Sequence, residues 1–505
     1  MGLRTIGIPD VLRRNAKLFA ERPAFLCGDE RVSHGDYLRR VERLAAGLAA
    51  AGVGAGDRVA ILSRNNLEFV TLYGAVAWLN AILLPINWRL TAEEISYVLN
   101  DGSPKLVFAD AEDQPRLAAL RSSLPSTASF YGIGGEIEPF RSFGSLSTPA
   151  SAPPKVEIDP EAGYVIIHTA AVDGKPRGAL LSQANLLAAA QQQVSYWGLN
   201  EQDVGLVGLP LFHIAGLGFA FAVTFGGGAS VIQSRFDAET AARQVAAAKV
   251  TVFSEFAPML AQLLDKASEV GADLGSLRAV TGLDSAETIA RFEAACPKAR
   301  FWAGYGQTET SGFVTFGPWR ERPGAAGRPT PSAVVTVADE RDEPLAPGQV
   351  GEILVRGPLV FRGYWDRQTD TEFTLREGWH HTGDLGRFDD DGYLWYAGRS
   401  PAKELIKPGG ENVYPVEVEK VIREHEAIAE VVVLGVPDAQ WGEAVKAVCV
   451  CRRGCSVAAQ DLIDFVGSRI ARYKKPKHVV FVETLPKTAQ GSIDRAAVKQ
   501  QHGSA

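Results

Sequence analysis

The sequence predicts an α/β protein, with a large N-terminal domain of doubly wound sheets and a small β region, followed by an α+β C-terminal domain. Three observations support this fold class. The chain has 505 residues, which is too many for one hydrophobic core. Short apolar strands alternate with helical segments before residue 300, a pattern typical of parallel sheets covered on both faces. After residue 398 the pattern changes to that of a compact module of about a hundred residues, a usual domain size.

The N-terminal third of the chain alternates between helices and strands. Helices are predicted over residues 10–21 and 34–52, and the second ends at a glycine. The segments DRVAILS, AILLPIN and KLVFAD predict strands, and NNLEFVTLYGAVAWLN and TAEEISYVLNDG predict the helices between them. Residues 142–161 are rich in Ser, Pro and Ala, and we expect a linker or an exposed loop there.

The same alternation resumes at residue 162 and continues to about residue 300. The segments AVVTVADE, GEILVRG and GYLWYAG then predict the strands of a smaller β region. Helices over 415–425 and 458–471, with the strands EVVVLGVPD, EAVKAVCVC and HVVFVE, make up the last module. The predicted domains are 1–398, with subdomains of about 1–155, 156–320 and 321–398, and 399–505.

Composition and charge argue against several classes of protein. The net charge is −7 and the pI is near 5.8, whereas nucleic-acid-binding proteins normally carry a basic surface, so we expect no nucleic-acid partner. The longest apolar run, residues 214–228, is too short and too rich in glycine to predict a transmembrane segment. The first residues, MGLRTIGIPDVLRRN, lack the apolar core and cleavage site of a secretory signal. We therefore expect a cytoplasmic location.

The segment HTAAVDGKPRG, residues 168–178, lies between a predicted strand and the predicted helix SQANLLAAAQQQ. A glycine-containing loop before a helix is a common way to hold phosphate, because backbone N–H groups and the helix N-terminus attract anions. Lys175 and Arg177 supply positive charge in this loop, and Thr169 supplies a hydroxyl group. An ordinary turn is the alternative, because the G-x-x-x-x-G-K-[ST] spacing is missing.

Three further segments carry chemically useful residues. In WAGYGQTETSG a predicted strand ends near Tyr305, which supplies an aromatic ring. The Thr308 hydroxyl and the Glu309 carboxylate follow, and the carboxylate is a suitable ligand for Mg²⁺. Asp384 lies near glycines in GWHHTGDLG, where it either binds a ribose diol or belongs to an ordinary turn. The two adjacent glycines of KPGGENVYP would permit the close approach of a narrow ligand.

In this order and at these separations, the segments resemble the adenylate-forming superfamily, and within it the AMP-forming acyl-CoA synthetases that act on fatty and aryl acids. The resemblance covers essentially the whole chain. Its most specific parts are YGQTE, GWHHTGD, GRSPAKELIKPGGENVYPVEVE and ARYKKPKHVVFVETLPKTAQGSIDR. The loop at residues 168–178 matches the loop that holds the β- and γ-phosphates of ATP in this family.

The resemblance implies a two-step reaction. A carboxylate attacks the α-phosphorus of Mg·ATP to give acyl-adenylate and pyrophosphate, and coenzyme A then displaces AMP to form a thioester. The implied cofactors are ATP, Mg²⁺ and coenzyme A, and the implied partner is a small carboxylic acid. Between the two steps the C-terminal domain, residues 399–505, is expected to rotate as a mobile unit. Association of the chain into a homodimer is a further expectation.

The matching motif positions also imply the residues of the site. The residues expected to act in catalysis are Thr308, Glu309, Lys403 and Lys407, and Glu309 is also expected to hold Mg²⁺. The residues expected to bind ATP are Thr169, Asp173, Gly174, Lys175, Tyr305, Gly306, Thr308, Asp384 and Arg399. The residues expected to line the path of coenzyme A are Gly409 and Gly410.

The segment LPLFHIAGLGFAF, residues 209–221, matches the part of the family that lines the acyl pocket. His213 either faces this pocket or is a packed core histidine. No pair of cations is evidently committed to a second carboxylate, although Arg235 is a candidate. We therefore predict a hydrophobic monocarboxylic acid, fatty or aromatic, as the substrate. The residues expected to contact the acyl group are Phe212, His213, Gly216, Phe256 and Gly304.

The sequence departs from the family at two positions that matter for adenylation. The phosphate loop offers the hydroxyl of Thr169 where relatives carry several hydroxyl groups. Ser492, in TAQGSIDR, stands at the position of the adenylation lysine of the family, and a serine is neutral and too short to reach the reacting phosphate. Either adenylation is impaired, or another cation, Lys487 or Lys403, acts in place of the lysine.

Three functions therefore stay open at the level of sequence. The first is an acid–CoA ligase. The second is adenylation followed by transfer to the thiol of a separate carrier protein. The third is a weakly active pseudo-enzyme that binds ligands, which Ser492 and the phosphate loop suggest. Pyrophosphate release with and without coenzyme A distinguishes them.

Overall fold

The computed structural model describes residues 5–124, 128–147, 152–169, 176–399, 405–487 and 493–504. The helices before residue 148 are α1 (Ile8–Leu18), α2 (His34–Ala50), α3 (Leu67–Trp78), α4 (Ala92–Gly102) and α5 (Gln114–Ala119). The strands of this part are β1 (Pro23–Cys27), β2 (Glu30–Ser33), β3 (Arg58–Leu62), β4 (Ile82–Ile86), β5 (Leu106–Asp110), β6 (Ser129–Ile133) and β7 (Arg141–Ser142).

Residues 152–329 continue the alternation. Residues 152–160 form no helix or strand, as expected for the predicted linker. The strands are β8 (Gly163–Thr169), β9 (Arg177–Ser182), β10 (Val204–Val207), β11 (Ala229–Ile232), β12 (Val252–Phe256), β13 (Ala279–Leu283), β14 (Arg300–Gln307), β15 (Gly312–Pro318) and β16 (Arg328–Pro329). The helices are α6 (Gln183–Trp197), α7 (Ile214–Gly226), α8 (Ala238–Ala248), α9 (Met259–Val270) and α10 (Ala286–Ala295).

The remaining elements form two smaller sheets with their helices, apart from β19, which joins a large sheet. Residues 330–399 contain β17 (Val334–Ala338), β18 (Gly351–Arg356), β19 (Gly363–Tyr364), α11 (Gln368–Thr374), β20 (Leu375–Arg376), β21 (Trp379–Phe388) and β22 (Leu394–Arg399). Residues 405–504 contain α12 (Pro415–Arg423), β23 (Ile428–Asp438), β24 (Gly442–Cys451), α13 (Ala459–Gly467), β25 (His478–Phe481) and α14 (Arg495–His502).

Two large sheets organise the chain before residue 400. The first has eight strands in the order β19-β9-β8-β4-β3-β5-β6-β7, and the second has nine in the order β16-β15-β14-β13-β12-β10-β11-β1-β2. The pairings from β8 to β6 in the first sheet and from β14 to β11 in the second are parallel. The pairs β8–β9 and β14–β15 are antiparallel. Helices cover both faces of each sheet and bury separate apolar cores against them. The predicted doubly wound architecture is therefore confirmed.

The strands are distributed between the two sheets differently from the predicted subdomains. The early strand β1 pairs with β11 in the nine-stranded sheet, whereas the later strand β8 pairs with β4 in the eight-stranded sheet. The sheets therefore do not divide the chain at residue 155. The reason is that apolar patterning identifies a strand but carries no information on which strand becomes its neighbour.

The core between the two large sheets explains the apolar character of helix α3. Every residue of α3 except Glu68 is buried, and Phe69 and Leu72 are among the side chains with no exposed surface. A helix that is apolar on all sides is stable only when it is enclosed. This helix packs against α2, whose N-terminus is capped by the Ser33 hydroxyl.

The C-terminal part is the predicted α+β module. Strands β23 and β24 are antiparallel, and β25 adds parallel to β24. Side chains of α12 and α13 pack on one face of this sheet, and Val498 of α14 packs on the other. Within the described ranges, no helix has the length and apolar character needed to cross a membrane.

Candidate active site

The candidate site lies where strands of both large sheets end and where the C-terminal part of the chain packs against them. Strand β8 of the eight-stranded sheet ends at Thr169. Strand β14 of the nine-stranded sheet ends at Gln307 and leads into the short 3-10 helix Thr308–Thr310. Residues that follow the carboxyl ends of parallel strands meet at one edge, which is where ligands bind in such folds.

Glu309 is buried and connects the two sheets. Its Oε1 accepts a hydrogen bond from the Thr169 hydroxyl at 3.1 Å and another from the Tyr364 hydroxyl at 3.0 Å. Burial and the negative charge of Glu309 raise the pKa of Tyr364, so this hydroxyl stays protonated and can donate. The guanidinium carbon of Arg177 lies 4.2 Å from the centre of the Tyr364 ring. A carboxylate, two hydroxyls and a cation are therefore grouped within one small region.

Asp384, on β21, is the centre of a second polar group. Its Oδ2 accepts hydrogen bonds from the Tyr305 hydroxyl at 2.7 Å and from the Gln307 amide at 2.5 Å. Its Oδ1 lies 2.7 Å from Nε of Arg399, which stands directly opposite on β22. The pairing of β21 with β22 therefore fixes the two charged residues beside each other. The structure brings together the predicted residues Tyr305, Asp384 and Arg399.

The charges in this group shift the pKa values of its members. Burial, together with the negative charge of Asp384, raises the pKa of Tyr305 well above its ordinary value of 10. Burial alone would lower the pKa of the Arg399 guanidinium group, but the adjacent Asp384, together with neighbouring tyrosines, outweighs burial and raises this pKa. Tyr305 is thus a neutral hydrogen-bond donor beside a stable ion pair.

Lys407 enters the same region from the C-terminal part of the chain. Its side chain is exposed and lies near the charged groups of Arg399, Asp384 and Glu443. Desolvation, together with the positive charge of Arg399, lowers the pKa of the Lys407 ammonium group, and Asp384 and Glu443 offset only part of this shift. A perturbed lysine beside a polar cleft is typical of functional sites, and a catalytic role for Lys407 stays a prediction.

His213 lies at the contact between the large N-terminal part and the C-terminal part. Its Nε2 is 3.3 Å from both carboxylate oxygens of Glu411, and its side chain is 32% exposed. Glu411 also accepts hydrogen bonds from Arg89 at 2.7 Å and from Asn87 at 3.1 Å. Burial alone would raise the pKa of Glu411, but His213 and Arg89 outweigh it and lower the pKa. His213 is therefore not a packed core histidine.

The predicted glycine pair approaches the acyl-binding segment. Gly409 has a φ angle of 57° and Gly410 one of 83°, which is the left-handed region that favours glycine. A Cβ atom on Gly410 would lie 3.0 Å from Cδ2 of Phe256, and one on Gly409 would lie 2.9 Å from the Trp441 ring. The absence of side chains thus lets this backbone segment lie against Phe256 in the large domain.

Three other predicted glycines are explained by packing. A Cβ atom on Gly216 would lie 2.2 Å from the Pro210 carbonyl oxygen. One on Gly304 would lie 2.6 Å from the Phe313 ring, and one on Gly306 would lie 1.9 Å from a backbone oxygen of β15. Such contacts are too short for any side chain, so glycine is required by the fold at all three positions. Their assignment to the acyl and ATP sites stays a prediction.

Some predicted residues lie outside the described ranges. These residues are Asp173, Gly174, Lys175, Lys403 and Ser492. Lys487, considered above as a substitute for the lysine missing at position 492, forms an ion pair with Glu430 at 2.6 Å.

Several residues of the site did not emerge from the sequence. Glu411 directly follows the glycine pair, so its position in the motif was a usable signal. Tyr364 and Arg89 lie outside the quoted motifs, and their local sequences carry no sign of the contacts with Glu309 and Glu411. Only the packing of distant segments reveals such residues.

Comparisons with known proteins agree with this geometry. The family model for AMP-binding enzymes matches residues 12–365, and the model for the C-terminal domain of AMP-binding enzymes matches residues 417–492. An indoleacetate–CoA ligase from Aromatoleum aromaticum is 33% identical over 497 residues, which cover 96% of this chain and 96% of that protein.

Solved structures extend the similarity to three dimensions. A chain from Rhodopseudomonas palustris, assigned as a long-chain-fatty-acid CoA ligase, is 52% identical with a TM-score of 0.76, covering 79% of this chain and 100% of that one. A double mutant of o-succinylbenzoate CoA synthetase from Bacillus subtilis, bound with the product analogue OSB-NCoA, is 29% identical with a TM-score of 0.86, covering 98% of both chains. The same synthetase in complex with the acyl-adenylate OSB-AMP is 28% identical and gives 0.71, covering 98% of this chain and 99% of that one. The chain therefore belongs to the family of AMP-binding enzymes, within the adenylate-forming superfamily that includes the acid–CoA ligases.

Proposed function

We propose that this protein is an AMP-forming acid–CoA ligase. It activates a carboxylic acid with ATP to acyl-AMP and transfers the acyl group to coenzyme A, releasing AMP and pyrophosphate. The observation that carries this proposal is the presence of three groups on the side where the C-terminal part packs against the large part: the carboxylate of Glu309, the Asp384–Arg399 ion pair and the glycine pair beside Phe256. These groups supply the chemistry that a nucleotide, a metal ion and a thiol substrate require.

The nucleotide is assigned to the region between Tyr305 and Asp384. The carboxylate of Asp384 is suited to accept hydrogen bonds from the ribose hydroxyls, and Arg399 holds it in place across the β-ladder. The ring of Tyr305 is held by its hydrogen bond to Asp384 and supplies an aromatic surface for adenine. The ion pair thereby orients the residues that bind the nucleoside.

Glu309, with Thr169 and Thr308, is assigned to hold Mg²⁺. The carboxylate and the Thr169 hydroxyl already lie 3.1 Å apart, and hard oxygen donors of this kind fit Mg²⁺. When bound, this ion supplies positive charge next to the phosphate groups of the nucleotide. Tyr364 keeps the carboxylate oriented through its hydrogen bond to Oε1.

Both half-reactions build negative charge on oxygen atoms, so cations near the reacting phosphate are the main catalytic requirement. In the first, an oxygen of the acid attacks the α-phosphorus and pyrophosphate leaves. Arg177, over the Tyr364 ring, is placed to attract the leaving pyrophosphate. In the second, the thiol sulfur attacks the acyl carbon, the bond to the adenylate oxygen breaks, and AMP leaves. Lys407 and Arg399 are the cations assigned to the α-phosphate.

The arrangement of the C-terminal part is assigned to the thioester-forming step. In this arrangement the backbone at Gly410 lies against Phe256, where a narrow thiol chain would have to pass. The higher TM-score with the OSB-NCoA complex than with the OSB-AMP complex of the same synthetase, 0.86 against 0.71, supports this assignment. Rotation of residues 399–505 between the two steps is part of the proposal.

The acyl group is assigned to the apolar surface around Phe212 and Phe256. Phe212 is buried and its ring lies 4.5 Å from that of His213. Arg235, the candidate partner for a second carboxylate, instead forms an ion pair with Glu112 at 2.8 Å. These contacts support a hydrophobic monocarboxylic acid, aromatic or fatty, as the substrate.

The test of the function is pyrophosphate release with a panel of aryl and fatty acids, measured with and without coenzyme A. An acid–CoA ligase releases pyrophosphate with a subset of acids and forms acyl-CoA when coenzyme A is present. Pyrophosphate release without acyl-CoA would favour transfer to a carrier protein. Tight AMP binding with no pyrophosphate release from any acid would favour the pseudo-enzyme.

Slow adenylation caused by Ser492, a homodimer and a cytoplasmic location are proposed in addition.

A further inference from the structure

One buried lysine joins the two parts of the chain. Nζ of Lys474 lies 2.6 Å from Oε1 of Glu94 and 2.9 Å from Oε2 of Glu417. The side chain of Lys474 is 4% exposed, and those of Glu94 and Glu417 are 17% and 10% exposed. Glu94 belongs to the large N-terminal part, whereas Lys474 and Glu417 belong to the C-terminal part. The ammonium group thus bridges the two parts in a nearly closed environment.

Both glutamates also cap helices. Oε2 of Glu94 accepts hydrogen bonds from the N–H and the hydroxyl of Thr91, at 2.8 and 2.9 Å, where α4 begins. Oε1 of Glu417 accepts the Tyr414 N–H at 2.9 Å, where α12 begins. Each carboxylate therefore uses one oxygen for its own helix and presents the other oxygen to Lys474. The lysine aligns the first turns of two helices, one from each part of the chain.

This contact lies beside the segment that carries the glycine pair. Helix α12 begins at Pro415, five residues after Gly410. Glu411, between them, binds Asn87 and Arg89, only a few residues before Glu94. The polar contacts of Glu411 and Lys474 therefore both lie on residues 87–94, here named the docking segment. Through α12, the docking segment fixes the place of Gly410 against Phe256.

The electrostatics make this contact specific to one arrangement of the chain. Burial alone would lower the pKa of Lys474, but Glu417 and Glu94 outweigh burial and raise it. A buried ammonium group is stable only while its charged partners remain, so loss of either carboxylate is costly. If residues 399–505 rotate away, Lys474 keeps Glu417 and exchanges Glu94 for water. The bond to Glu94 thus stabilises only the arrangement in which Gly410 meets Phe256.

We propose that Lys474 and Glu94 are positioning residues for the thioester-forming half-reaction. They hold residues 405–504 on the docking segment and thereby place the glycine pair on the path of the thiol, without touching the substrates themselves. This inference rests on the proposed function as an acid–CoA ligase. Lys474 and Glu94 therefore affect thioester formation, the second half-reaction, and leave the chemistry of adenylation unchanged.

The test is Glu94→Gln, with Glu93→Gln as the matched control. Glutamine can still cap the first turn of α4, so the substitution removes the charged partner of Lys474 while keeping the helix start. Glu93 is the exposed neighbour in the same turn. We expect the rate of thioester formation from supplied acyl-adenylate to fall about tenfold in Glu94→Gln. Adenylation should stay within about twofold of the unmodified protein, and Glu93→Gln should change neither step.

Equal loss of both half-reactions, or no selective loss of thioester formation, would overturn the proposal. If the unmodified protein forms no acyl-CoA with any acid, the proposed function fails, and hydrogen exchange of the apoprotein then decides this inference separately. Amides of the docking segment and of residues 410–417 should exchange faster in Glu94→Gln than in Glu93→Gln. Identical exchange in the two variants would exclude Lys474 and Glu94 as the contact that holds this arrangement.

Discussion

Glu309 is the residue on which the adenylation step depends most in this account, because its carboxylate, which follows a strand of the nine-stranded sheet, binds Thr169 and Tyr364 of the eight-stranded sheet. We expect Glu309→Gln to retain the fold and to lower the rate of ATP–pyrophosphate exchange about 100-fold, since a neutral amide is a poorer ligand for a hard cation. The measurement is the exchange rate as a function of Mg²⁺ concentration.

Tyr364→Phe is the matched control for this prediction, because it removes one hydrogen bond to the same carboxylate and leaves its charge. Tyr364→Phe should lower the exchange rate about fivefold, the size expected for the loss of a typical hydrogen bond of about 1 kcal/mol. If Glu309→Gln exchanges pyrophosphate at the unmodified rate even at limiting Mg²⁺, the assignment of the metal site to Glu309 is wrong.

Ser492 leads to a second prediction at the residue scale. A lysine at this position would add a cation that neutralises charge on the α-phosphate mainly in the transition state, a contact worth about 100-fold in rate. Ser492→Lys should therefore speed adenylation by about two orders of magnitude and hardly change thioester formation from supplied acyl-adenylate. The two half-reactions are timed separately by quenched flow. Adenylation that is no faster in the lysine variant would mean that another cation already fills this role.

Glu255 provides a prediction for stability rather than catalysis. Its side chain is fully buried on β12, and burial, together with the charge of Asp284, raises its pKa well above the ordinary value of 4.5. The carboxyl group of Glu255 therefore loses its proton at lower pH in the unfolded chain than in the folded chain. As a result, Glu255 lowers the free energy of unfolding progressively as the pH rises above about 4.5. Unfolding midpoints measured at pH 5 and pH 8 test this sign.

The midpoint of Glu255→Gln relative to the unmodified protein should be higher at pH 8 than at pH 5, by about 2 °C. The exposed Glu287→Gln on α10 is the control and should show no such trend. A difference between the variant and the unmodified protein that does not change with pH would mean that Glu255 titrates normally.

At the scale of single residues, the sequence predicts the motif residues but not the partners that hold them. Asp384 and Arg399 were assigned from separate motifs, and only the pairing of β21 with β22 places them opposite each other. Tyr364 could not be found in this way, because its contact with Glu309 joins segments 55 residues apart. Such contacts depend on tertiary packing, about which local sequence patterns carry little information.

The segment with the glycine pair is the element whose effect is easiest to isolate. Gly410 has a positive φ angle, and a Cβ atom there would lie 3.0 Å from Phe256. We expect Gly410→Ala to lower thioester formation at least tenfold, because the backbone is strained and its contact with the large domain is disturbed. Adenylation, for which this segment is proposed to lie elsewhere, should change much less.

Gly454→Ala is the control for backbone strain. Gly454 also has a positive φ angle, of 80°, but a Cβ atom there would meet nothing within 4 Å. This variant should therefore show the conformational cost of alanine without any effect on the second half-reaction. If both alanine variants slow the same step by the same factor, the approach of Gly410 to Phe256 has no functional role.

At the scale of elements, the sequence predicts most helices and strands within a few residues. Helix α2, for example, was predicted over 34–52 and spans His34–Ala50, because its apolar face and its capping serine are both local features. The strand order was not predictable in the same way. Strands β8 and β1 each join the sheet formed mainly by the other part of the chain, and only long-range packing decides such a choice.

For the whole molecule, the arrangement of the C-terminal part decides which half-reaction the structure represents. Among the described residues, its contacts with the large part include those of Glu411 and Lys474, together with the approach of Gly410 to Phe256. These contacts and the likeness to the OSB-NCoA complex support the thioester-forming arrangement. We therefore expect acyl-adenylate to form first, in another arrangement of the same chain.

The passage of the acid through acyl-adenylate is the central claim, and isotope transfer tests it most directly. The measurement uses the acid that gives the fastest pyrophosphate release, labelled with ¹⁸O in its carboxylate and incubated with ATP, Mg²⁺ and coenzyme A. Attack of the carboxylate on the α-phosphorus, followed by cleavage of the acyl carbon–oxygen bond, predicts that AMP carries one labelled oxygen and that pyrophosphate carries none. Unlabelled AMP, or label found in inorganic phosphate released together with ADP, would contradict the account.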